Sequence, residues 1–395
     1  MTTANLWGST AGPGSSTSYG GTTVQAMLTT IQQWGWWLQG YRIWRADSAQ
    51  SASVAFAMWQ AVSGEAGVYI GSQTAVSGSA PVTGAWNEVD LATPINLSSG
   101  IVYVPQYGLA GNFPNTNNYF GSGDPASGGV TSAPIFAYSS ASGSAPDPFT
   151  DTQMGVSIAS DDPTSVYAVT ASNDFNGWID MVLTNVAPAG ATFRGFPNMP
   201  RVVNGSNQAG SYTLGLQFSV SEACTVSKVW HYSPSGASAL PSWCGIWAVS
   251  GESVYAQQAS PSWSGAAGSG WVYCTNFPAT SLAASTQYKV STFGDPGATW
   301  FTVITGYFTS GGAAASGIVN GPLTIPATGS ASPSQGSANS GATLAYPGTD
   351  LPSAENDWID IEVQPQSAAA STTGLIAGVA DDEMNWSKLR FLGVV

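Results

Sequence analysis

Trp59-Gln60-Ala61-Val62-Ser63-Gly64-Glu65 returns as Trp247-Ala248-Val249-Ser250-Gly251-Glu252 with one residue deleted. Outward from this pair, further matches follow in the same order. Trp44 pairs with Trp230, Trp86 with Trp271, Leu97 and Tyr103 with Leu282 and Tyr288, Tyr119-Phe120 with Tyr307-Phe308, and Trp178-Ile179-Asp180 with Trp358-Ile359-Asp360. The offsets stay between 180 and 188 residues. Self-similarity at a near-constant spacing marks one structural unit used twice, so the chain reads as a tandem duplication.

Between these anchors the apolar residues alternate. Val54, Phe56 and Met58 share one face, as do Val102 and Val104, and Gly, Pro, Ser and Asn clusters punctuate at the spacing of short strands. The last strand of each repeat is the clearest case. Ile179, Met181 and Leu183 point one way and Trp178, Asp180 and Val182 the other. In the second copy Ile359, Ile361 and Val363 face inward, with Trp358, Asp360 and Glu362 outward. The expected fold class is all-β: two tandem antiparallel β-sandwich domains, jelly-roll or immunoglobulin-like, with terminal arms. The expected boundaries are an N-terminal arm over 1–20, the first sandwich over 21–187, a semi-rigid Pro/Gly connector over 188–209, the second sandwich over 210–365, and a tail over 366–395 that carries a short helix. The stretches 121–165 and 310–350 read as long excursions between strands.

Composition agrees. The 395 residues are 43% hydrophobic and 11% aromatic, too rich for disorder, yet only 8% are charged. The surface must then be built from Ser, Thr, Gly, Asn, Gln and Ala, which suits strands and turns better than exposed helices solubilised by Lys, Glu and Arg. Eight basic against 22 acidic residues give a net charge of −14. That balance repels polyphosphate, so no nucleic-acid partner is expected, and no apolar run is long enough for a spanning helix. The N-terminal segment has neither the basic nor the apolar region of a secretory signal, so export by another route is expected.

The run Leu214-Gly215-Leu216-Gln217-Phe218, Val226-Ser227-Lys228-Val229-Trp230, Trp247, Trp271, Tyr288, Tyr307-Phe308 and Trp358-Ile359-Asp360 resembles an uncharacterised bacterial β-sandwich family, a domain of unknown function. That family is appended to secreted carbohydrate-active proteins and found in actinobacterial phage tail proteins. The resemblance covers most of 210–365 and, more loosely, 21–187, where Trp34, Trp36 and Trp37 crowd the opening strands. It implies a binding or spacer module and carries no catalytic residues.

Catalysis needs a nucleophile with a base, paired carboxylates or a metal cluster, and one histidine, His231, follows an anchor tryptophan as a structural residue would. No enzyme activity, cofactor or metal is therefore expected. Asp161-Asp162 and Asp381-Asp382-Glu383 lack a calcium-loop pattern and read as solvated carboxylates. Asp180 and Asp360 read as hydrogen-bond acceptors that hold a neighbouring loop. Cys224, Cys244 and Cys274 align with apolar Leu38, Phe56 and Val89, which favours buried free thiols and leaves one disulfide open. Of the 16 tryptophans, those outside the repeat pairs are free for specific roles. Trp243, Trp263 and Trp300, in Ser/Pro/Gly-rich contexts, are the expected glycan-contacting set. Trp7 and Trp386, in the terminal arms, are the expected assembly contacts.

The leading expectation is a bacteriophage virion protein, either a minor tail protein or a capsid surface decoration or fibre. Its partners would be other virion proteins, further copies of itself and a host cell-surface glycan. The alternative is a bacterial extracellular carbohydrate-binding accessory protein, secreted or held at the cell surface.

Overall fold

A computed structural model describes residues 3–7, 17–19, 22–45, 54–60, 68–75, 82–110, 113–115, 130–138, 155–158, 178–197, 206–294, 297–308, 314–327, 337–341, 343–350 and 355–366. The described secondary structure is all strand. The first half has β1 (Thr3–Ala4), β2 (Thr17–Tyr19), β3 (Thr22–Met27), β4 (Thr29–Ile31), β5 (Trp36–Arg45), β6 (Val54–Gln60) and β7 (Val68–Ala75). It continues with β8 (Ala85–Leu97), β9 (Val102–Ala110), β10 (Phe113–Asn115), β11 (Val130–Ser132), β12 (Ile135–Ala137), β13 (Gly155–Ile158) and β14 (Ile179–Thr184). The second half has β15 (Phe193–Arg194), β16 (Ser206–Ala209), β17 (Tyr212–Val220), β18 (Cys224–Ser233), β19 (Trp243–Ala248), β20 (Ser253–Gln258), β21 (Gly270–Tyr273) and β22 (Thr280–Leu282). It ends with β23 (Gln287–Gly294), β24 (Thr299–Val303), β25 (Ile318–Asn320), β26 (Leu323–Ile325), β27 (Ser337–Ser340), β28 (Thr349–Asp350) and β29 (Ile359–Pro365).

Each half folds into two main antiparallel sheets with one strand order, beside a two-stranded ribbon, β2–β10 in the first half and β16–β24 in the second. The smaller sheet runs β1-β14-β5-β8 in the first half and β15-β29-β18-β21 in the second, where β22 continues the edge that the longer β8 supplies alone. The larger sheet runs β7-β6-β9 and then β3 and β4 in the first half. In the second it runs β20-β19-β23 and then the single β17. The hairpin β11–β12 docks beside β4 as β25–β26 docks beside the end of β17, and β13 flanks β3 as β27 flanks β17. The stretches read as strand-poor excursions therefore carry short edge strands. Three or four residues are too few to show an alternating pattern, and a neighbouring strand supplies the pairing.

The two sheets of each half close on a core of alternate side chains. Tyr41 of β5 stacks on Phe56 of β6 with ring centroids 5.0 Å apart, and Thr29 Oγ1 of β4 meets Met181 Sδ of β14 at 3.9 Å. In the second half Val229, Ile361, Leu216, Ile246 and Val290 occupy the corresponding layer. One tyrosine hydroxyl recurs at the corner of each sandwich. Tyr103 accepts the Ser98 N–H at 2.8 Å, and Tyr288 accepts the Ala283 N–H at 3.1 Å. This hydroxyl, reaching back to backbone a few residues upstream, is the tie that closes corners in immunoglobulin-like sandwiches.

The register corrects one anchor. Asp180 lies opposite Arg42, and Asp360 lies opposite Trp230, so the structural counterpart of Trp44 is Tyr232, not Trp230. Both Trp44 and Tyr232 donate their backbone N–H to the following tryptophan's carbonyl, Trp178 and Trp358, at 3.1 and 3.0 Å. A two-residue slip along a strand keeps every side chain on its own face, so matching tryptophans by identity could not detect it. The same slip places Cys224 opposite the position of Trp36, whereas the matches of Cys244 with Phe56 and Cys274 with Val89 stand.

The halves also meet. Trp37 of β5 packs edge-on against Phe193 at 5.7 Å, and the Asn96 and Asn320 amides exchange hydrogen bonds of 3.2 and 2.7 Å. Ser98 Oγ donates to the Pro197 carbonyl. The tryptophans that crowd the opening of the first repeat thus serve two cores, since Trp36 packs in the first and Trp37 in the second.

Candidate functional site

The segment expected to be an N-terminal arm and the one expected to be a connector are, where described, partly integral to the sheets. Strand β1 pairs with β14, and β15, inside the expected connector, pairs with β29. The residues that follow each short strand cross the outer face of the smaller sheet and are fastened to the recurring aspartate. Asp180 accepts the Leu6 and Trp7 N–H groups at 2.9 and 3.0 Å; Asp360 accepts those of Gly195 and Phe196 at 2.8 and 3.0 Å. This is the loop-holding role read for both aspartates. A guanidinium completes each cluster from a different position: Arg42 of β5 reaches Asp180 at 2.7 Å, and Arg194 of β15 reaches Asp360 at 3.0 Å. Both cations stack on the matched tryptophan, Arg42 over Trp86 at 4.5 Å and Arg194 over Trp271 at 5.0 Å. Burial pushes the Asp360 carboxyl up and the Arg194 guanidinium down, and their mutual attraction opposes both shifts.

These clusters bury Trp7, which is 5% exposed and packs with its ring tilted against Trp178 at 5.2 Å, as Phe196 packs tilted against Trp358 at 5.4 Å. Trp7 therefore belongs to the hydrophobic core of the first half. Trp386 lies outside the described residues, as do the expected tail helix and the Asp161-Asp162 and Asp381-Asp382-Glu383 groups.

The expected glycan set does not form a surface. Trp300 is wholly buried with its Nε1–H donated to the Gly210 carbonyl at 2.9 Å, and Gly294 lies against its ring where a Cβ would collide. Trp243 is 5% exposed, packs on Trp247 and donates to Gln257 at 2.9 Å. Trp263 is partly buried and donates to the Pro241 carbonyl at 2.9 Å. Ser/Pro/Gly-rich surroundings mark turns, and the side chains at turn ends close the core here. His231 lies between the Trp263 and Trp300 rings, bonded to the Trp300 carbonyl at 2.9 Å, and burial pushes it down to about 4. It is neutral at physiological pH and donates through Nε2. All three cysteines are buried free thiols.

The concave site lies elsewhere, a cavity of about 780 Å³ in the second domain between the β16–β24 ribbon and the start of β17. Tyr212, Leu214, Phe301, Val303 and Ala338 form apolar walls; Ser206, Gln208, Thr305, Glu355 and Asp357 are its polar groups. The segment Glu355-Asn356-Asp357 is pinned by a two-bond bridge, Asn356 N–H to the Ile304 carbonyl at 2.9 Å and Ile304 N–H to the Asn356 carbonyl at 3.2 Å. The flanking residues Glu355 and Asp357 both line the cavity. The Asn356 side chain accepts the Trp358 N–H at 2.9 Å, and Trp358 takes a left-handed φ of 53° that turns the chain into β29. Trp178 repeats that φ at 49°.

Asp357 is 4% exposed, and neither carboxylate oxygen has a hydrogen-bond partner. Burial, with Glu355 as a second cause, pushes its carboxyl up to about 8. Buried polar atoms left unpaired are rare in native proteins, and these two lie covered beside the cavity rather than open to it. Sequence reasoning passed over Asp357 because it favoured features shared by both repeats, whereas Asn176-Gly177-Trp178 has glycine where Asn356-Asp357-Trp358 has the carboxylate. The signal was the difference between the copies.

Fold and site together define a two-domain β-sandwich protein with a ligand-sized cavity in its second domain. Residues 198–359 match the family described as Domain of unknown function (DUF4082), so the second domain is similar to an uncharacterised domain family. No curated protein matches the chain.

Proposed function

We propose that the protein is a non-enzymatic structural and binding component of a bacteriophage virion, a minor tail or capsid surface protein, whose second domain takes a host glycan into the Asp357 cavity. The cavity itself, lined by the aromatic rings of Tyr212 and Phe301 together with Gln208, Thr305 and Glu355, carries the binding part of this reading. Sugars are recognised by such pairings, with acceptors for ring hydroxyls and aromatic faces for the C–H surface. Support for a scaffold comes from the contacts that dock the two sandwiches, Trp37 on Phe193 and Asn96 with Asn320, and from a surface poor in charge. The first domain, with the same strand order, is in this reading a diverged copy of the second.

Binding without catalysis fits the placement of the carboxylates. Glu355 and Asp357 lie two residues apart on one segment, and the Asp357 oxygens are covered, whereas glycoside hydrolysis needs an acid and a second carboxylate flanking the scissile bond. Among the described residues, the other buried carboxylates, Asp180, Asp360 and Glu362, are engaged with Arg42, Arg194 and Lys228.

The cavity by itself equally favours a bacterial extracellular carbohydrate-binding accessory protein, secreted or surface-held. Electron microscopy of intact particles with a label against the second domain separates the two. Label on a tail or capsid is the expected result; absence from every particle, with retention on a polysaccharide column, transfers the assignment to the accessory protein.

A further inference from the structure

We propose that Cys244 and Cys274 are the site of an inter-sheet disulfide that staples the second sandwich, with Cys224 left as its free thiol. The two sit on opposite walls of one core, Cys244 on β19 of the larger sheet and Cys274 directly after β21 of the smaller, and both are wholly buried. Hydrogen bonds draw the walls together at this point. Cys244 lies opposite Gln258 of β20, and side chains of directly opposite residues share one face. From there Gln258 Nε2–H donates to the Asn276 carbonyl at 2.8 Å, while the Cys274 thiol donates to Asn276 Oδ1 at 3.1 Å. The two thiols are also hydrogen-bonded to each other. Cys224 is out of reach of Cys274. It opens β18, whereas Cys274 donates its N–H to the carbonyl of Val229, five residues further along, at 2.9 Å. Five residues of strand span about 16 Å, against the roughly 7 Å that a disulfide tolerates between Cα atoms.

The difference between the copies points the same way. The first sandwich fills these positions with Phe56 of β6 and Val89 of β8, an apolar pair from its two sheets; the second sets two sulfurs against each other. The structure holds the reduced form. Because the native fold covers both sulfurs, oxidation belongs to the chain as it folds or opens, with a low-molecular-weight disulfide such as glutathione disulfide as the oxidant. One cysteine thiolate attacks a glutathione sulfur and expels the other glutathione as thiolate. Folding then presents the second cysteine thiolate, which attacks the protein sulfur of the mixed disulfide and expels the second glutathione. Two protein thiols are oxidised to one disulfide, and the two protons they lose convert the two leaving thiolates to thiols. The cross-link persists where the surroundings are oxidising, and it stabilises the second sandwich by restricting the unfolded chain.

The test refolds the full chain from urea in mixtures of reduced and oxidised glutathione, returns it to urea with N-ethylmaleimide to trap free thiols, and reads intact mass and chymotryptic peptides, since no Lys or Arg separates the two cysteines. The expected product carries one alkyl group, on Cys224, and a Cys244–Cys274 linkage. The refolded chain should keep that linkage at a glutathione ratio at least about ten-fold more reducing than the chain held in urea throughout, because the fold holds the two sulfurs together. Adding reductant should lower the urea midpoint of the cross-linked wild type and of Cys224→Ala, which spares the pair, and leave Cys244→Ala and Cys274→Ala unchanged. The wild-type mass decides the matter even where an alanine variant fails to fold. Three alkylated thiols in a chain with the native unfolding transition, a linkage through Cys224, glutathione retained on either cysteine, or the same threshold ratio folded and in urea would each overturn the proposal.

Discussion

Replacing Asp357 by asparagine removes an ionisable group at almost constant volume, so its effect on stability should depend on pH in a way the structure specifies. The carboxyl lies at about 8 in the folded chain against an ordinary value of 3.8. Between those values the folded chain holds a proton that the unfolded chain has released. Stability is therefore fully present below about pH 4, is lost as pH rises toward 8, and is level above that. About four pH units at about 1.36 kcal/mol each come to about 5 kcal/mol, an upper limit because water entering the cavity would solvate the anion. His231 runs the other way: its folded value of about 4 lies below the ordinary 6.5, so its contribution is lost as pH falls from 6.5 to 4. In the wild type the two slopes oppose each other up to about pH 6.5, and above it the His231 slope has ended. Urea unfolding followed by tryptophan fluorescence, at half-unit steps from pH 4 to 8.5, should give Asp357→Asn a stability that gains on the wild type across the window. Asparagine leaves its own amide unpaired, which shifts the variant by a constant and leaves the difference in slope intact. Parallel pH profiles for wild type and variant would refute the buried, unpartnered carboxylate.

Removing Asp360 strands Arg194 and two backbone N–H groups beneath the crossing segment, so Asp360→Ala should cost about 3–5 kcal/mol by chemical denaturation, and Asp180→Ala, which strands Arg42, a similar amount. Tyr288→Phe loses only the hydroxyl that ties the corner and should cost about 1–2 kcal/mol, matched by Tyr103→Phe; a change in the denaturant slope as well as the midpoint would contradict a local tie. Because Cys224, Cys244 and Cys274 are buried thiols, a thiol reagent should label none in the native chain within minutes and all three in urea, read by intact mass.

Much of the architecture was legible before any coordinates. Trp59 and Trp247, Trp86 and Trp271, and Tyr103 and Tyr288 hold corresponding places because large aromatic residues occupy positions that packing leaves little freedom to change. Asp180 and Asp360 were readable as loop-holding acceptors, since an acid recurring beside a buried tryptophan needs a donor. Trp7 was misread because the segment that buries it pairs with a strand more than 170 residues away, and no local pattern reports such pairing. Trp243 and Trp300 were misread for a related reason: a small-residue neighbourhood marks a turn but does not say whether the ring folds over the core or out to solvent.

The sequence by itself determined the all-β class, the two-fold repetition and the identity of the core aromatics. Alternation and self-similarity are properties of neighbouring residues and of spacing, and both survive without coordinates. Only the tertiary structure decided that the segments before each domain clamp its outer sheet, that Trp37 belongs to the second core, and that Glu355 and Asp357 line one cavity with Tyr212 and Phe301. Those relations join residues that are distant in the chain, and their energies come from burial and from missing partners, which exist only once the chain has closed around them.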